Sequence, residues 1–365
     1  MTAPVRRLLM TVDAVGGVWR YAMDLAVGLQ QQGSQITFAC FGPPPSPGQI
    51  AEAQRIGEII RGDAPLDWTA VDARDLEHVP DLIAKLAAGT SADLIHLNLP
   101  SQAAGLAVDV PVVVVSHSCV VTWFRAVRGT PVHPDWQWQH DLNQAGFDAA
   151  NIIVAPSQSH ADLLSDCYDR VGSINVVHNS VRPLAESQVH LPFIIAAGRW
   201  WDEGKNARTL DAAALDCRWP IRMVGSQRGP NGQFQAIENA DYLGELPSAE
   251  LRRLMAQAAI FVSPSIYEPF GLAPLEAASA ARPLLLSDIP TYRELWDGAA
   301  LFADAGNPRE FSTWLNRLSE DDGLRADLGQ RAKSRAATFT ITRQVEAMSA
   351  LYSAALAQVN RWAMA

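Results

Sequence analysis

Ile260-Phe261-Val262-Ser263-Pro264-Ser265-Ile266-Tyr267-Glu268-Pro269-Phe270-Gly271-Leu272-Ala273-Pro274-Leu275-Glu276-Ala277 reads as a strand, a loop and a helix in succession. Ile260–Ser263 is a short apolar, β-rich run. Pro269 and Gly271 forbid a helix up to that point, because proline lacks an amide hydrogen and clashes with the preceding turn. Pro274 suits the first turn of a helix over Ala273–Ala281, where the missing hydrogen costs nothing. That helix start leaves unpaired N–H groups near Gly271–Ala273 at a positive dipole end, an arrangement suited to phosphate oxygens. Glu268 sits on the loop and Glu276 within the first turn or so, so the two acids take different parts of one ligand. A hydrolase with paired carboxylates is the alternative use of two acids. It explains neither the Gly/Pro loop nor the cations described below.

The same alternation runs along the chain in both directions. Leu8–Val12, Gln35–Phe41, Leu94–Leu97, Val110–Val115, Asn151–Ala155 and Ile174–His178 read as strands. Several are almost wholly apolar, as parallel strands covered on both faces are. Arg20–Gln31 reads as an amphipathic helix. A stretch without period, Asn179–Pro192, interrupts the pattern, which restarts with Phe193–Ala197, Ile221–Val224, Ile260–Ser263 and Leu284–Leu286. Helices are expected at Ala249–Gln257 and Ala273–Ala281, and a long amphipathic one at Ile341–Trp362. The expectation is an α/β protein of two Rossmann-like, doubly wound domains: 1–185, 186–345, and a closing helical segment, 346–365. In such sheets ligands sit beyond the carboxyl ends of the strands, and two such domains would share the cleft they face.

Bulk properties agree. The chain has 365 residues, 48% hydrophobic and 19% charged, which suits two globular domains. No run reaches the roughly 18 apolar residues of a membrane span. Val5–Met10 lacks the apolar region and cleavage site of a signal peptide, so the protein is expected in the cytoplasm. Net charge is −10, of which residues 1–180 carry −8. An acidic surface disfavours nucleic acid and anionic lipid, and nothing in the composition indicates membrane association. Cys40, Cys119, Cys167 and Cys217 have neither metal-ligand nor redox spacing, and are expected to be buried free thiols.

Residues that follow strands carry the chemistry. Gly16-Gly17, between the first strand and its helix, lets backbone approach a ligand; a plain tight turn is the alternative. Ser116-His117-Ser118 follows Val110–Val115, and His117 meets either a reacting sugar or only its own core. Gly198-Arg199 follows Phe193–Ala197, with Lys205 six positions on. Two cations on one loop suit a diphosphate, Arg through its planar fork and Lys as a compact charge. They would neutralise a departing nucleoside diphosphate, a task that a metal performs elsewhere. Ordinary solvated surface charges are the alternative.

Together these residues resemble the retaining glycosyltransferases of family 4, which have the GT-B fold. Glu268 and Glu276, spaced Glu-x7-Glu with Glu268-Pro-Phe-Gly-Leu272 inside, resemble that family's hallmark. The likeness extends to Gly16-Gly17, Ser116-His117-Ser118, Ala155-Pro156-Ser157, His178-Asn179-Ser180, Gly198-Arg199 with Lys205, and Tyr242-Leu243-Gly244-Glu245-Leu246. The resemblance implies that Arg199 and Lys205, beside Gly198, bind the diphosphate. It implies that Glu268 and the amides of Phe270, Gly271 and Leu272 hold the donor sugar, and that Glu276 binds the ribose. Leu243, Gly244 and Leu246 would flank the nucleobase. His117 would contact the sugar near the reacting carbon, and Gly16 and Gly17 would pack near the diphosphate. It implies transfer of a hexose, retention at the anomeric carbon, no catalytic metal and no other cofactor. It also implies a closing helix that crosses back to the N-terminal domain. Three positions depart from the family pattern. The Arg199-to-Lys205 spacing is one residue longer, Ala281-Arg282 replaces the usual glycine before Pro283, and Ser180 stands where Gly is common.

The donor base (UDP, GDP or ADP) stays open, as does the acceptor: a glycan, a lipid-linked glycan or a small molecule. Trp123, Phe124, Trp136 and Trp138 lie on the acceptor-side domain, where aromatic rings stack on sugars or fold over a small core of their own. A nucleotide-sugar epimerase, a phosphorylase-like enzyme and an inactive nucleotide-sugar-binding subunit of a polysaccharide assembly complex are the rival readings. The first lacks added acid/base carboxylates, the second its cofactor lysine. The third is at odds with the intact set His117, Arg199, Lys205, Glu268 and Glu276.

Overall fold

The computed structural model describes residues 5–187 and 189–363. Gln188, in the expected interruption, and the last two residues of the closing segment lie outside them. The chain forms two compact units. One runs to Ser180 and takes back the chain from Ile341; the other is Val181–Thr340.

The first unit is built on seven strands: β1 (Arg7–Asp13), β2 (Gln35–Phe41), β3 (Glu58–Arg61), β4 (Leu94–Leu97), β5 (Val112–Val115), β6 (Ile152–Ala155) and β7 (Ile174–Val176). They pair in the order β3-β2-β1-β4-β5-β6-β7, every pair parallel. The second unit has six: β8 (Leu191–Ala197), β9 (Ile221–Val224), β10 (Asp241–Gly244), β11 (Ala258–Ser263), β12 (Leu284–Ser287) and β13 (Leu301–Ala303). Their order is β10-β9-β8-β11-β12-β13, again all parallel. Both are doubly wound Rossmann-like sheets.

Alternate residues of the inner strands feed two cores. In β1, Leu8, Met10 and Val12 face one layer and Leu9 the other. In β8, Phe193 and Ile195 separate from Ile194 and Ala196 in the same way. The last helix, Ile341–Ala363, returns to the first unit and buries Val345, Met348, Tyr352 and Ala355 in the core that contains β1. These positions recur at helical spacing, so they form one face. A Cβ at Gly28, on the helix Gly17–Gln31, would come within 2.4 Å of Val345 Cγ2, so the absent side chain lets the two helices pack closely.

The division between units falls at Ser180 and Val181 rather than at 185 and 186. Val181 and Leu184 pack into the core of the second unit, and Leu184 N donates to Ser279 Oγ at 2.9 Å. The returning segment begins at Ile341 rather than at 346, because the helix that belongs to the first unit starts there. Two of the four cysteines, Cys167 and Cys217, are only half-buried, against the expectation of burial for all. Among the described residues no helix is long and apolar enough to cross a membrane.

Candidate active site

A doubly wound sheet opens a crevice where the strand order reverses, beyond the carboxyl ends of the two strands at that point. In the second unit the reversal lies between β8 and β11. The residues after β8 are Gly198, Arg199 and Lys205, and those after β11 run from Pro264 to Gly271. Topology alone therefore brings the two cations and Glu268 to one place.

Local bonds fix both loops. Asp202 accepts from Gly204 N at 2.9 Å, capping the short turn Glu203–Lys205. Gly204 O accepts from Ile266 N at 2.9 Å, which ties the cation loop to the acid loop. Asn206 adopts a left-handed φ of 57° and donates from Nδ2 to Pro264 O and Ala305 O at 2.9 and 2.8 Å. Lys205 Nζ then meets Glu268 Oε2 at 2.6 Å, both side chains largely buried. Arg199 is more open, 38% exposed; Asp202 lies 3.5 Å away and its guanidinium sits over the Trp201 ring at 5.5 Å.

The helix after Glu268 spans Leu272–Ser279 and opens on Gly271 with φ 94°, a conformation that glycine adopts without strain. Pro274 occupies the first turn, where it displaces no hydrogen bond. The Phe270 side chain is core, edge-on to Phe339 at 5.6 Å, and so is not itself a ligand contact. Glu276 Oε1 accepts from Arg252 Nη1 at 2.9 Å, and Arg252 Nη2 also donates to Arg182 O and Pro183 O. Beyond β9, Gly225 has φ 125°, and its N donates to Gly244 O at 2.8 Å. A Cβ at Gly225 would lie 1.9 Å from Gly198 O, so only glycine fits there. Leu243 is exposed; Gly244 and Leu246 are half-buried, at the end of β10 and just after it.

In the first unit the order reverses between β1 and β4. Gly16, with φ 89°, caps the helix Gly17–Gln31, and both glycines are exposed. Asn98 follows β4 and is buried; His117 follows β5 and is half-buried. His117 Nε2 lies 2.8 Å from Asn98 Oδ1, and its ring meets the edge of Tyr21 with centroids 4.3 Å apart. Burial pushes the His117 imidazole down to about 3, with His96 and His160 adding to the effect, so the ring is neutral. His96 and His160 are each lowered to about 4, mainly by burial.

Trp123, Phe124 and Trp136 form an edge-to-face series, with centroids 5.4 and 5.7 Å apart. Trp123 ends the short helix Val120–Trp123, Phe124 opens the π-helical turn Phe124–Arg128, and Trp136 ends the turn Pro134–Trp136; Arg128 covers the Trp123 ring at 5.5 Å, and Trp136 is exposed. Trp138 stands apart from this series, on the helix Gln137–Ala149, and packs against the core. Among the described residues no three His, Cys, Asp or Glu are grouped so as to hold a metal ion.

Asn98, Asn206 and Arg252 escape a reading by motif. The first two have no local pattern beyond following a strand or a turn. Arg252 looks like any charge on an amphipathic helix, and only the fold brings it to Glu276.

The comparisons agree with this geometry. The glycosyltransferase family 4 model matches residues 15–183 and the glycosyl transferases group 1 model matches 232–335, so between them they take in most of the chain. The chain is 28% identical over 155 residues to the O-antigen chain mannosyltransferase B of Escherichia coli, a match covering 42% of this chain and 35% of that one. The aligned part thus spans about a third of that relative's length. It is 23% identical to the D-inositol 3-phosphate glycosyltransferase of Corynebacterium glutamicum (strain R), over 94% of this chain and 93% of that one. The crystal structure of Anabaena HepE in complex with UDP and glucose superposes with a TM-score of 0.74 at 16% identity, over 96% and 99% of the two chains. Two parallel Rossmann-like sheets, a helix that returns to the first, and both family models lead to one conclusion: this chain is a GT-B glycosyltransferase of the group 1 family.

Proposed function

We propose that the enzyme moves a hexose from a nucleoside-diphosphate sugar to a hydroxyl of a glycan, glycolipid or small-molecule acceptor, in the cytoplasm, with retention and without a catalytic metal. The observation that carries this is the meeting of Lys205 with Glu268, next to the helix start at Gly271, at the strand-order reversal of the second sheet. An ammonium has three donors, so Lys205 keeps Glu268 while it contacts a phosphate oxygen. Arg199 supplies the second cation. Glu268 and the amides of Phe270, Gly271 and Leu272 hold the sugar, Glu276 the ribose, and the stretch from Leu243 to Leu246 the base. Trp123, Phe124 and Trp136 serve the acceptor.

In the step itself the acceptor oxygen bonds to the anomeric carbon from the side on which the C–O bond to phosphate breaks. The acceptor proton passes to the leaving phosphate oxygen, so no separate base is needed. The cations stabilise the charge that develops on the diphosphate. A protein of the same fold holding UDP and glucose supports this class of donor.

The test is nucleoside-diphosphate release from UDP-, GDP- and ADP-hexoses, with and without an acceptor panel of mannosides, glucosides and inositol phosphate. Acceptor-dependent release with one base, and a product whose anomeric configuration matches the donor, is expected. Release as free sugar without acceptor, an epimerised donor, or inversion in the product would overturn the proposal.

A further inference from the structure

The side chain of Asn98 can be oriented from its neighbours alone. Its Nδ2 faces Thr11 O at 2.5 Å, and a backbone carbonyl only accepts. The atom at that contact must therefore be the NH2 group, and the other must be Oδ1, an acceptor. Oδ1 is 2.8 Å from His117 Nε2 and 3.1 Å from His96 Nε2. Two ring nitrogens that meet one acceptor must both carry hydrogen. Each neutral histidine is then the Nε2–H tautomer, and each Nδ1 bears a lone pair.

The far end of the chain of bonds agrees. His96 Nδ1 lies 2.7 Å from Tyr352 Oη, on the returning helix, and a bare Nδ1 accepts from that hydroxyl. Burial holds the Tyr352 phenol well above its ordinary value, so it remains a donor. Thr11 Oγ1, bonded to Asn98 N and to Gln102 Oε1, fixes the backbone at the same point. His117 Nδ1, by contrast, has no hydrogen-bond partner among the described residues. The titratable groups around the His117 ring are His96, His160 and Tyr21; none is a carboxylate that would favour an imidazolium.

We propose that Asn98 is a positioning residue that locks His117 as its Nε2–H tautomer, so that His117 meets a ligand only as a hydrogen-bond acceptor through Nδ1. The group opposite Nδ1 must then be a donor, a sugar hydroxyl rather than a carboxylate. That this hydroxyl belongs to a sugar rests on the function proposed above, whereas the tautomer does not.

The experiment is a long-range 1H–15N correlation spectrum of the full chain with 15N-labelled histidine, assigned with His117→Gln, from pH 5 to 8. His117 is expected as a single neutral Nε2–H tautomer throughout. An Nδ1–H tautomer or an imidazolium at pH 7 overturns the proposal. Asn98→Asp, which keeps an acceptor but adds charge, is expected to keep the tautomer and to raise the His117 pKa by at least about one unit. In Asn98→Ala the single tautomer is expected to give way to a mixture. It is also expected to lower kcat/KM for the sugar donor about 10-fold while leaving nucleoside-diphosphate affinity within about 3-fold. An unchanged spectrum in Asn98→Ala overturns the lock. If wild type turns over no nucleotide sugar, the functional proposal fails while the spectrum still decides the tautomer.

Discussion

Lys205 Nζ and Glu268 Oε2 lie 2.6 Å apart although the two residues follow different strands, β8 and β11. The pair forms because those strands are neighbours at the point where the sheet order reverses. Its two members are given different duties, the phosphate and the sugar. Glu268→Gln should therefore lower turnover by about 100-fold, since it removes charge beside the reacting sugar. Nucleoside-diphosphate affinity should stay within about 3-fold, because Lys205 remains. Isothermal titration together with steady-state kinetics separates the two effects, and a parallel loss of both would contradict the division.

Arg252 spreads its guanidinium between Glu276 and two carbonyls, those of Arg182 and Pro183. The bonds to the acid and to the carbonyls leave from different nitrogens of the planar fork, Nη1 and Nη2, and a lysine places its donors on a single compact nitrogen instead. Arg252→Lys and Arg252→Met should weaken binding of the ribonucleoside diphosphate by roughly 5- to 30-fold, about 1–2 kcal/mol. The 2′,3′-dideoxy analogue, which lacks the hydroxyls assigned to Glu276, should be weakened much less. Equal losses for both ligands would remove the ribose contact.

Ala281 adopts φ 59°, the left-handed region, where a Cβ is disfavoured by about 1 kcal/mol. The neighbouring Arg282 is buried and donates to Ala280 O, Ala258 O and His190, contacts that hold the turn in place. Ala281→Gly should relieve the strain and, net of the roughly 0.4–1 kcal/mol that the extra freedom of the unfolded chain costs, stabilise the second unit by up to about 0.6 kcal/mol. Chemical denaturation followed by tryptophan fluorescence measures this, and a destabilised variant would contradict it.

His96, His117 and His160 are held neutral in the first unit, with folded values of about 4, 3 and 4 against an ordinary value of 6.5. Above pH 6.5 both folded and unfolded chains leave them neutral, so they make stability independent of pH there. As pH falls from 6.5 towards 4 the unfolded chain takes up protons that the folded chain does not, and stability falls. The slope is at most about 1.4 kcal/mol per pH unit for each histidine. Thermal unfolding should thus be steady from pH 8 to 7 and drop steeply between 6 and 4.5. A flat profile down to pH 4.5 would show that the rings are not shielded.

Much of this was legible in the residues. The buried strands betray themselves by apolar runs such as Val112–Val115 and Leu284–Ser287, covered on both faces. The strands missed were Glu58–Arg61, Asp241–Gly244 and Leu301–Ala303, and each lies at a sheet edge. An edge strand is covered on fewer sides and can carry charge, so it lacks the apolar signature. The site divides along similar lines. Glu268, Lys205 and Gly271 stand out because proline, glycine and charge after a strand have few structural uses. Arg252 and Asn98 act on partners far away in sequence, 24 residues from Glu276 and 19 from His117, and only topology supplies those contacts.

The central claim is that the loops after β8 and β11 hold a nucleoside diphosphate through Arg199 and Lys205. Calorimetric titration of UDP, GDP and ADP into wild type, Arg199→Ala and Lys205→Ala tests it most directly. The account predicts saturable binding of one nucleotide to wild type, weakened at least about 10-fold in each variant, about 1.4 kcal/mol or more. Unchanged affinity in both variants, or no binding of any of the three to wild type, would contradict it.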